Sequence, residues 1–405
     1  MESAQTRPVS TGHEDAPVVS YVQQLLEQAV ALKASDLHFE PYEHQYRVRM
    51  RIDGELREIA SPHMALKDRL ASRIKVMSRL DIAEKRLPQD GRMKLQLALG
   101  RELDLRVSTL PTLFGEKLVI RVLDSAQAQL NLARLGYEPE DLERLLAAIR
   151  APHGLVLVTG PTGSGKTTVI YASLCHLIER SGPSISIATV EDPVEFTLPL
   201  IAQSQCNVAR DYTYPVALRS LMRQDPQVIM IGEIRDAETA QIAVQAGLTG
   251  HLVISTIHSG STTGVFARLI NMGIEPFLLA SSITGVLGMR LIRRSCLVCL
   301  ESYQPEPAAL AYLPVETHST GQFRRGGGCP ACNHTGFSGR ATVMETLTVD
   351  EVLRDAVLQK LPTRRLQEIA QAQGMETLWQ AGLRRALRGE TTLEEILRVV
   401  GMEGF

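Results

Sequence analysis

A glycine-rich run, Gly160-Pro-Thr-Gly-Ser-Gly-Lys-Thr-Thr168, follows the apolar segment 155–158. It matches the pattern G-x-x-x-x-G-K-[ST], in which a buried strand turns into a helix through a loop that surrounds phosphates. Glycines suit this loop because a Cβ would block the approach of backbone N–H groups to the phosphates. The run predicts a site for a nucleoside triphosphate, bound by Gly160, Pro161, Thr162, Gly163, Ser164, Gly165, Lys166, Thr167 and Thr168.

Two side chains of this run have specific expected roles. Lys166 supplies a positive charge for the β- and γ-phosphates, and the hydroxyl of Thr167 is the predicted ligand of Mg²⁺. The phosphates would also lie at the positive end of the helix that begins near Lys166. We therefore expect the nucleotide to bind together with Mg²⁺.

Acidic residues follow two later apolar strands. Glu191 lies in the segment Thr189-Val-Glu-Asp-Pro-Val-Glu195, and Glu233 lies at the end of the run 228–231. Ligands bind outside the carboxyl ends of strands in an open parallel sheet, so both carboxylates are candidates. We favour Glu233 as the general base or water-positioning residue and Glu191 as a ligand of Mg²⁺-bound water. An isolated acid at a strand end is more often a solvated residue or a helix cap.

Two histidines flank another apolar strand, in the segment Thr249-Gly-His-Leu-Val-Ile-Ser-Thr-Ile-His258. Strand geometry leaves His251 at one end and His258 just past the other, so the two are not expected to contact one ligand atom. One is expected to sense the γ-phosphate and the other to support a subunit contact. A purely structural role is the alternative for either residue.

Four of the six cysteines form two C-x-x-C pairs, Cys296 with Cys299 and Cys329 with Cys332. Two such pairs supply four thiolates for tetrahedral Zn²⁺ and leave no open position for catalysis. The connection between the pairs is longer than the usual ribbon spacing, so free thiols are the alternative. We predict a structural zinc site.

The composition excludes several classes of protein. The chain has 405 residues, a formal net charge of −2, 44% hydrophobic residues and 22% charged residues. This balance gives no global basic field for nucleic acid, and no apolar run has the roughly 18 residues of a membrane span. The polar start and the few cysteines predict a soluble protein of the reducing cytoplasm.

The coarse pattern divides the chain into segments. We expect a disordered lead (1–16), a small α/β domain of mainly antiparallel strands (17–124), a linker (125–131) and a larger domain (132–405). In the larger domain strands and helices alternate, which predicts a parallel sheet with helices on both faces. Within it, 291–345 is the expected zinc element and 346–405 the expected C-terminal helices.

Taken together, these segments resemble the secretion ATPases of type II secretion systems and type IV pilus assembly. The N-terminal segments Ser35-Asp-Leu-His-Phe-Glu-Pro41 and Leu87-Pro-Gln-Asp-Gly-Arg92 look like those of that family. Segment 189–195 resembles its aspartate box, 221–236 its Walker B signature and 249–258 its histidine box. Arg106 and Arg121 match arginines that complete a neighbouring nucleotide site.

The resemblance implies a RecA-like core that hydrolyses ATP, in a homohexameric ring whose domain motions drive an inner-membrane platform protein. It also implies a cytoplasmic motor that is peripheral at the inner membrane. The 4% of aromatic residues and the slightly acidic charge argue against nucleic acid as a partner. The four-cysteine element favours the assembly or secretion branch over the retraction motors. The alternatives are a retraction ATPase, a RecA-like nucleic-acid translocase and a catalytically weak scaffold.

Two features depart from the family pattern. The family usually has Asp-Pro-Asp before the Walker B strand, whereas this chain has Asp225-Pro-Gln227. We expect this change to reshape a loop and to leave Glu233 in place. Many members also carry a further N-terminal domain, which the sequence is expected to lack.

Overall fold

The computed structural model describes residues 16–96, 102–123, 130–313 and 321–401. The chain divides into two compact units, Met1–Gln127 and Ala128–Phe405. Most of the predicted lead (1–15) and residues 125–129 of the predicted linker lie outside the described residues. None of the helices in the described ranges has the length and apolar character needed to cross a membrane.

The described residues of the N-terminal unit form a six-stranded sheet with two helices. The helices are α1 (Ala16–Ala31) and α2 (Lys67–Met77). The strands are β1 (Asp36–Pro41), β2 (Tyr46–Ile52), β3 (Glu55–Ala60), β4 (Gln89–Gln96), β5 (Glu102–Thr112) and β6 (Gly115–Leu123). They lie in the order β3-β2-β1-β6-β5-β4, and every neighbouring pair is antiparallel. This confirms the small antiparallel α/β domain.

Alternation along β1 explains why this sheet has two different faces. Leu37 and Phe39 belong to the hydrophobic core that α1 and α2 help to form. Successive side chains of a strand point to opposite faces, so Asp36, His38 and Glu40 share the other face. That second face is therefore charged.

The C-terminal unit is built on a seven-stranded sheet. Its first strands are β7 (Gly154–Thr159), β8 (Ile187–Glu191), β9 (Ala202–Gln205), β10 (Val228–Ile234) and β11 (Leu252–Ile257). They are followed by β12 (Ile283–Ser295), the short pair β13 (Leu300–Ser302) and β14 (Arg324–Gly326), and β15 (Phe337–Thr348). The order in the large sheet is β15-β12-β7-β11-β10-β8-β9, and only β15 runs antiparallel to its neighbour.

Helices connect these strands and cover both faces of the sheet. They are α3 (Pro139–Ile149), α4 (Lys166–Ser181), α5 (Tyr214–Leu221), α6 (Ala237–Leu248), α7 (Gly264–Asn271), α8 (Pro276–Ser282) and α9 (Pro307–Leu310). Leu155 and Leu157 of β7 pack into one core, and Val156 and Val158 pack into another that includes residues of α4. The predicted parallel sheet with two covered faces is confirmed.

The C-terminal helices are α10 (Glu351–Leu358), α11 (Thr363–Ala372), α12 (Leu378–Leu387) and α13 (Leu393–Val400). They begin slightly later than expected, because β15 continues to Thr348. The expected zinc element, 291–345, therefore includes the end of β12 and most of β15, which are strands of the large sheet.

Candidate nucleotide-binding site and cysteine cluster

The glycine-rich run forms the loop between β7 and α4. Gly165 has a left-handed backbone (φ +92°) and Gly160 has φ +149°, conformations that a side chain disfavours. A Cβ at Gly160 would lie 2.6 Å from the carbonyl oxygen of Met289. Ser164 is buried, and its Oγ has no hydrogen-bond partner in the described part of the chain. A backbone cradle with an unpaired buried hydroxyl fits a phosphate ligand.

Lys166 begins α4 and lies over the loop. Its Nζ donates hydrogen bonds to the carbonyl oxygens of Gly160 (2.7 Å) and Pro161 (2.9 Å). Burial lowers the pKa of Lys166, the negative charge of Glu233 opposes that change, and the positive charge of Arg290 adds to it. The ammonium group of Lys166 therefore interacts with two carbonyl oxygens of the loop and also with the charges of Glu233 and Arg290.

The other residues of the run differ in exposure. Pro161, Thr162 and Gly163 are exposed at the outer side of the loop. Thr167 and Thr168 are partly buried in the first turn of α4. The hydroxyl of Thr167 is thus placed where the sequence predicts a magnesium ligand, and this role stays a prediction.

Glu233 and His258 come together at the carboxyl edge of the sheet. Nε2 of His258, which follows β11, is 2.9 Å from Oε1 of Glu233 near the end of β10. Nε of Arg235 donates to Oε2 of Glu233 at 2.6 Å. The Glu233 side chain is 13% exposed and the His258 side chain 54% exposed, so the pair is open to solvent on the histidine side. A carboxylate held in this way can accept a proton from water.

His251 lies at the opposite edge. It precedes β11, and its Nδ1 is 3.2 Å from the carbonyl oxygen of Ala246. The six residues of β11 separate it from His258, a distance of roughly 20 Å along a strand. The structure keeps the two histidines apart, which is what their spacing in the sequence predicts.

Glu191 occupies a different environment from Glu233. It is only 2% exposed. Its Oε1 accepts hydrogen bonds from Oγ1 of Thr189 (2.6 Å) and Nε2 of Gln203 (3.1 Å), and its Oε2 accepts one from the hydroxyl of Tyr171 on α4. Burial and the neighbouring carboxylate raise the pKa of Tyr171, which keeps that hydroxyl protonated as a donor. Both oxygens therefore have internal partners, which join α4 to β8 and β9.

Gln227, the departure from the family pattern, lies at the far edge from Glu233. Its Oε1 accepts a hydrogen bond from the backbone N–H of Ser186 at 2.5 Å, and its own N–H donates to the carbonyl oxygen of Ser186 at 2.9 Å. It therefore pairs the chain before β10 with the chain before β8. Glu233 is placed at the opposite end of β10.

Arg106 and Arg121 lie on neighbouring strands of the N-terminal unit. They are register partners across β5 and β6, and Arg106 is in turn the partner of Arg92 on β4. Nε of Arg121 is 3.1 Å from Oδ1 of Asp36 on β1. The sheet thus carries a row of three arginines, and the role of Arg106 and Arg121 at a neighbouring nucleotide site stays a prediction.

The four predicted cysteines form one cluster, with their sulfur atoms all within 4.8 Å of one another. Sγ of Cys296 is 3.9 Å from Sγ of Cys329, and Sγ of Cys299 is 3.9 Å from Sγ of Cys332. Four sulfurs at Zn–S distances of about 2.3 Å in a tetrahedron lie about 3.8 Å apart. Backbone N–H groups of Cys329 and Gly336 lie 3.2 and 3.3 Å from Sγ of Cys332, where they would donate to a thiolate. The donor set fits a tetrahedral thiolate-bound metal.

Arg290 is a site residue that the motifs do not reveal. It lies on β12 beside the loop, and it donates to the carbonyl oxygens of Met289 (3.0 Å) and Gly260 (3.4 Å). Gly260 belongs to the segment after β11. It has no motif of its own, and because β12 also carries Arg293 and Arg294, nothing in the sequence distinguishes Arg290 as the arginine beside the loop.

Comparison with known proteins identifies the chain. The family model described as "Type II/IV secretion system protein" matches residues 11–398. The chain belongs to this family. It is 50% identical over 386 residues to the type II secretion system protein HxcR of Pseudomonas aeruginosa, covering 95% of this chain and 78% of that protein. It is 45% identical over 387 residues to the type IV pilus assembly ATPase PilB of Myxococcus xanthus, covering 95% of this chain and 68% of that protein.

A solved structure of low sequence identity shares the fold of this family member. The X-ray structure of the Legionella pneumophila ATPase DotB matches with a TM-score of 0.69 and 19% identity, covering 93% of this chain and 94% of that one. The predicted family, the P-loop ATPase fold and an ATP-hydrolysing motor for secretion or pilus assembly are thus confirmed.

Proposed function

We propose that this ATPase powers the assembly of a type IV pilus or of a type II secretion pseudopilus. The observation that carries the catalytic part is the pairing of Glu233 with His258 at the edge where β7 delivers the phosphate loop. The names of the relatives, one from each kind of system, support the choice of process.

Each site residue then has a chemical role. The loop N–H groups and Lys166 bind the β- and γ-phosphates, and Thr167 would hold Mg²⁺, which would neutralise phosphate charge. Glu233 orients a water and accepts its proton as the water oxygen bonds to the γ-phosphorus. The bond from that phosphorus to the bridging oxygen breaks, and ADP leaves with the electron pair. His258 holds the carboxylate of Glu233. Through that contact, the position of His258 responds to the presence of the γ-phosphate.

The assembly follows from the same roles. We propose a homohexamer in which Arg106 and Arg121 stabilise transition-state charge at a neighbouring nucleotide. Hydrolysis would move domains against an inner-membrane platform protein, with the motor at the cytoplasmic face of that membrane. Cys296, Cys299, Cys329 and Cys332 would hold Zn²⁺ as thiolates, and the ion would stabilise the local chain without taking part in hydrolysis.

Steady-state ATP hydrolysis across a protein concentration series tests this function. Turnover per chain rises cooperatively with concentration if sites are shared between subunits. Glu233→Gln abolishes turnover because the amide cannot accept the proton, whereas the matched Glu238→Gln changes an exposed carboxylate of the next helix and leaves turnover unchanged. Turnover that is independent of dilution and of Glu233 contradicts both the shared site and the choice of base.

A second comparison separates the alternatives. Added single-stranded DNA leaves the turnover of a pilus or secretion motor unchanged. Stimulation by DNA that weakens with salt would instead support a nucleic-acid translocase.

A further inference from the structure

The segment between β11 and α7, residues 258–263, contacts the nucleotide site at its first two residues. His258 lies against Glu233 at 2.9 Å. The next residue, Ser259, is joined to the last residue of β7 by two hydrogen bonds: its carbonyl oxygen accepts from Oγ1 of Thr159 (2.9 Å), and its N–H donates to the same Oγ1 (3.0 Å). The segment, here named the β11–α7 loop, is therefore held to both strands that form the site.

The other end of this loop is held by one buried carboxylate. Thr262 is fully buried, and both its N–H (3.3 Å) and its hydroxyl donate to Oε1 of Glu345 on β15. Oε2 of Glu345 accepts the N–H of Leu378, the first residue of α12, at 3.2 Å. Glu345 is 5% exposed, and these partners are neutral donors.

This arrangement makes the loop and the helix depend on each other. Separation of either partner would leave one oxygen of a buried carboxylate unsatisfied, which is costly in a low-dielectric environment. A displacement of the loop that breaks the contacts of Oε1 is therefore resisted unless α12 moves with it. The connection runs from Glu233 through His258, Thr262 and Glu345 to α12.

We propose that Glu345 is a positioning residue that couples the β11–α7 loop to the first turn of α12, and so sets the position of His258 during ATP turnover. The inference rests on the proposed roles of Glu233 and His258. It assigns the C-terminal helices a part in turnover, although they contribute no side chain to the phosphates.

Neighbouring threonines give a matched test of the first contact. Thr262→Val removes the hydroxyl that Glu345 binds, and Thr263→Val makes the same change at a buried hydroxyl with no partner in the described ranges. We expect Thr262→Val to lower kcat about tenfold with KM for ATP within about twofold, the loss expected for one hydrogen bond to a charged group. Thr262→Ser keeps the hydroxyl and restores kcat, and Thr263→Val matches the parent.

The second contact is tested at the backbone of Leu378. Leu378→Pro removes the N–H, and proline is well tolerated at the first position of a helix. The preceding Thr377 already has the extended backbone (φ −74°, ψ 159°) that a following proline requires. Leu378→Ala loses the same buried side chain but keeps the N–H, so the ratio of the two kcat values, expected at about tenfold, reports the bond alone.

Thermal unfolding is measured for every variant. The turnover of Glu233→Gln is measured alongside each of them. Equal kcat for Thr262→Val and Thr263→Val, or for Leu378→Pro and Leu378→Ala, overturns the coupling even if thermal stability falls. The double variant Thr262→Val with Leu378→Pro has the kcat of the slower single variant if both contacts form one linkage. If Glu233→Gln retains full turnover, the proposed catalytic role fails, whereas loss in that variant with no effect at Thr262 rejects only the inference.

Discussion

Replacing Tyr171 by phenylalanine separates a structural role of Glu191 from a role at the metal. The change removes one donor from a carboxylate that is 2% exposed and leaves the aromatic ring in place. Since Tyr171 lies on the helix that follows the phosphate loop and Glu191 ends β8, their contact fixes α4 against the sheet. We expect Tyr171→Phe to destabilise the C-terminal unit and to leave the magnesium requirement unchanged.

The magnitude follows from the type of bond. A hydrogen bond to a charged group contributes about 1.5–3 kcal/mol. The C-terminal unit, Ala128–Phe405, has about 280 residues, which corresponds to an unfolding entropy of roughly 0.6 kcal/mol/K. The melting temperature of this unit should therefore fall by about 3–5 °C.

Differential scanning calorimetry and ATP turnover across a magnesium series provide the assay. Tyr212→Phe is the matched control, because its hydroxyl bonds at 2.7 Å to the neutral hydroxyl of Ser204, and its loss should cost only about 1 kcal/mol. The reasoning is refuted if Tyr171→Phe keeps its melting temperature within about 1 °C while the magnesium concentration for half-maximal turnover rises severalfold. That outcome would assign Glu191 to the metal, as the sequence predicts.

Three further predictions concern other parts of the chain. Protein purified under reducing conditions should contain about one zinc per chain by elemental analysis, and Cys332→Ser should remove it; equal metal content in both would contradict the site. Glu395→Gln should lower the free energy of unfolding by about 3–5 kcal/mol, because the Glu395 carboxylate is fully buried between Arg293 and Arg398. In the same assay, Glu301→Gln, at an exposed carboxylate, should lower it by less than about 1 kcal/mol. Burial raises the pKa of Glu40, but hydrogen bonds from Arg49 and Lys117 outweigh this effect and lower the pKa from 4.5 to about 2. The contribution of Glu40 to stability is therefore complete above pH 4.5 and is lost as the pH falls toward 2. Unfolding of Glu40→Gln should depend less on pH in that window, and identical slopes would reject this assignment.

The strongly patterned elements could be predicted from the sequence. The strand Tyr46–Ile52 could be predicted because its buried residues alternate with arginines, which is the pattern of a half-buried strand. In contrast, the sequence of β3 (Glu55–Ala60) gives no such signal, because none of its residues is fully buried and the alternation that marks a half-buried strand is missing. Only its pairing with β2 defines it.

The residues of the candidate site divide in the same way. Lys166 and Glu233 could be predicted because a local motif and a strand end place them. Nothing in the sequence near Glu191 indicates that Tyr171 and Gln203 occupy its oxygens, since these partners are 20 and 12 residues away and meet it only in the folded sheet. The same holds for Glu345, whose partner Thr262 is 83 residues away.

The pairing of β12 with β15 has a consequence for how such chains change in evolution. These strands are antiparallel neighbours, and their pairing extends to Ser295 opposite Phe337. Residues 296–336, with all four clustered cysteines, therefore form the connection of a single hairpin. A two-residue turn is the commonest link between such strands, whereas this connection also contributes Ala309, Leu310, Leu313 and Phe323 to a hydrophobic core that it shares with α12 and α13. Loss or exchange of the connection would therefore expose apolar side chains of α12 and α13, so its sequence is expected to change together with that of these helices.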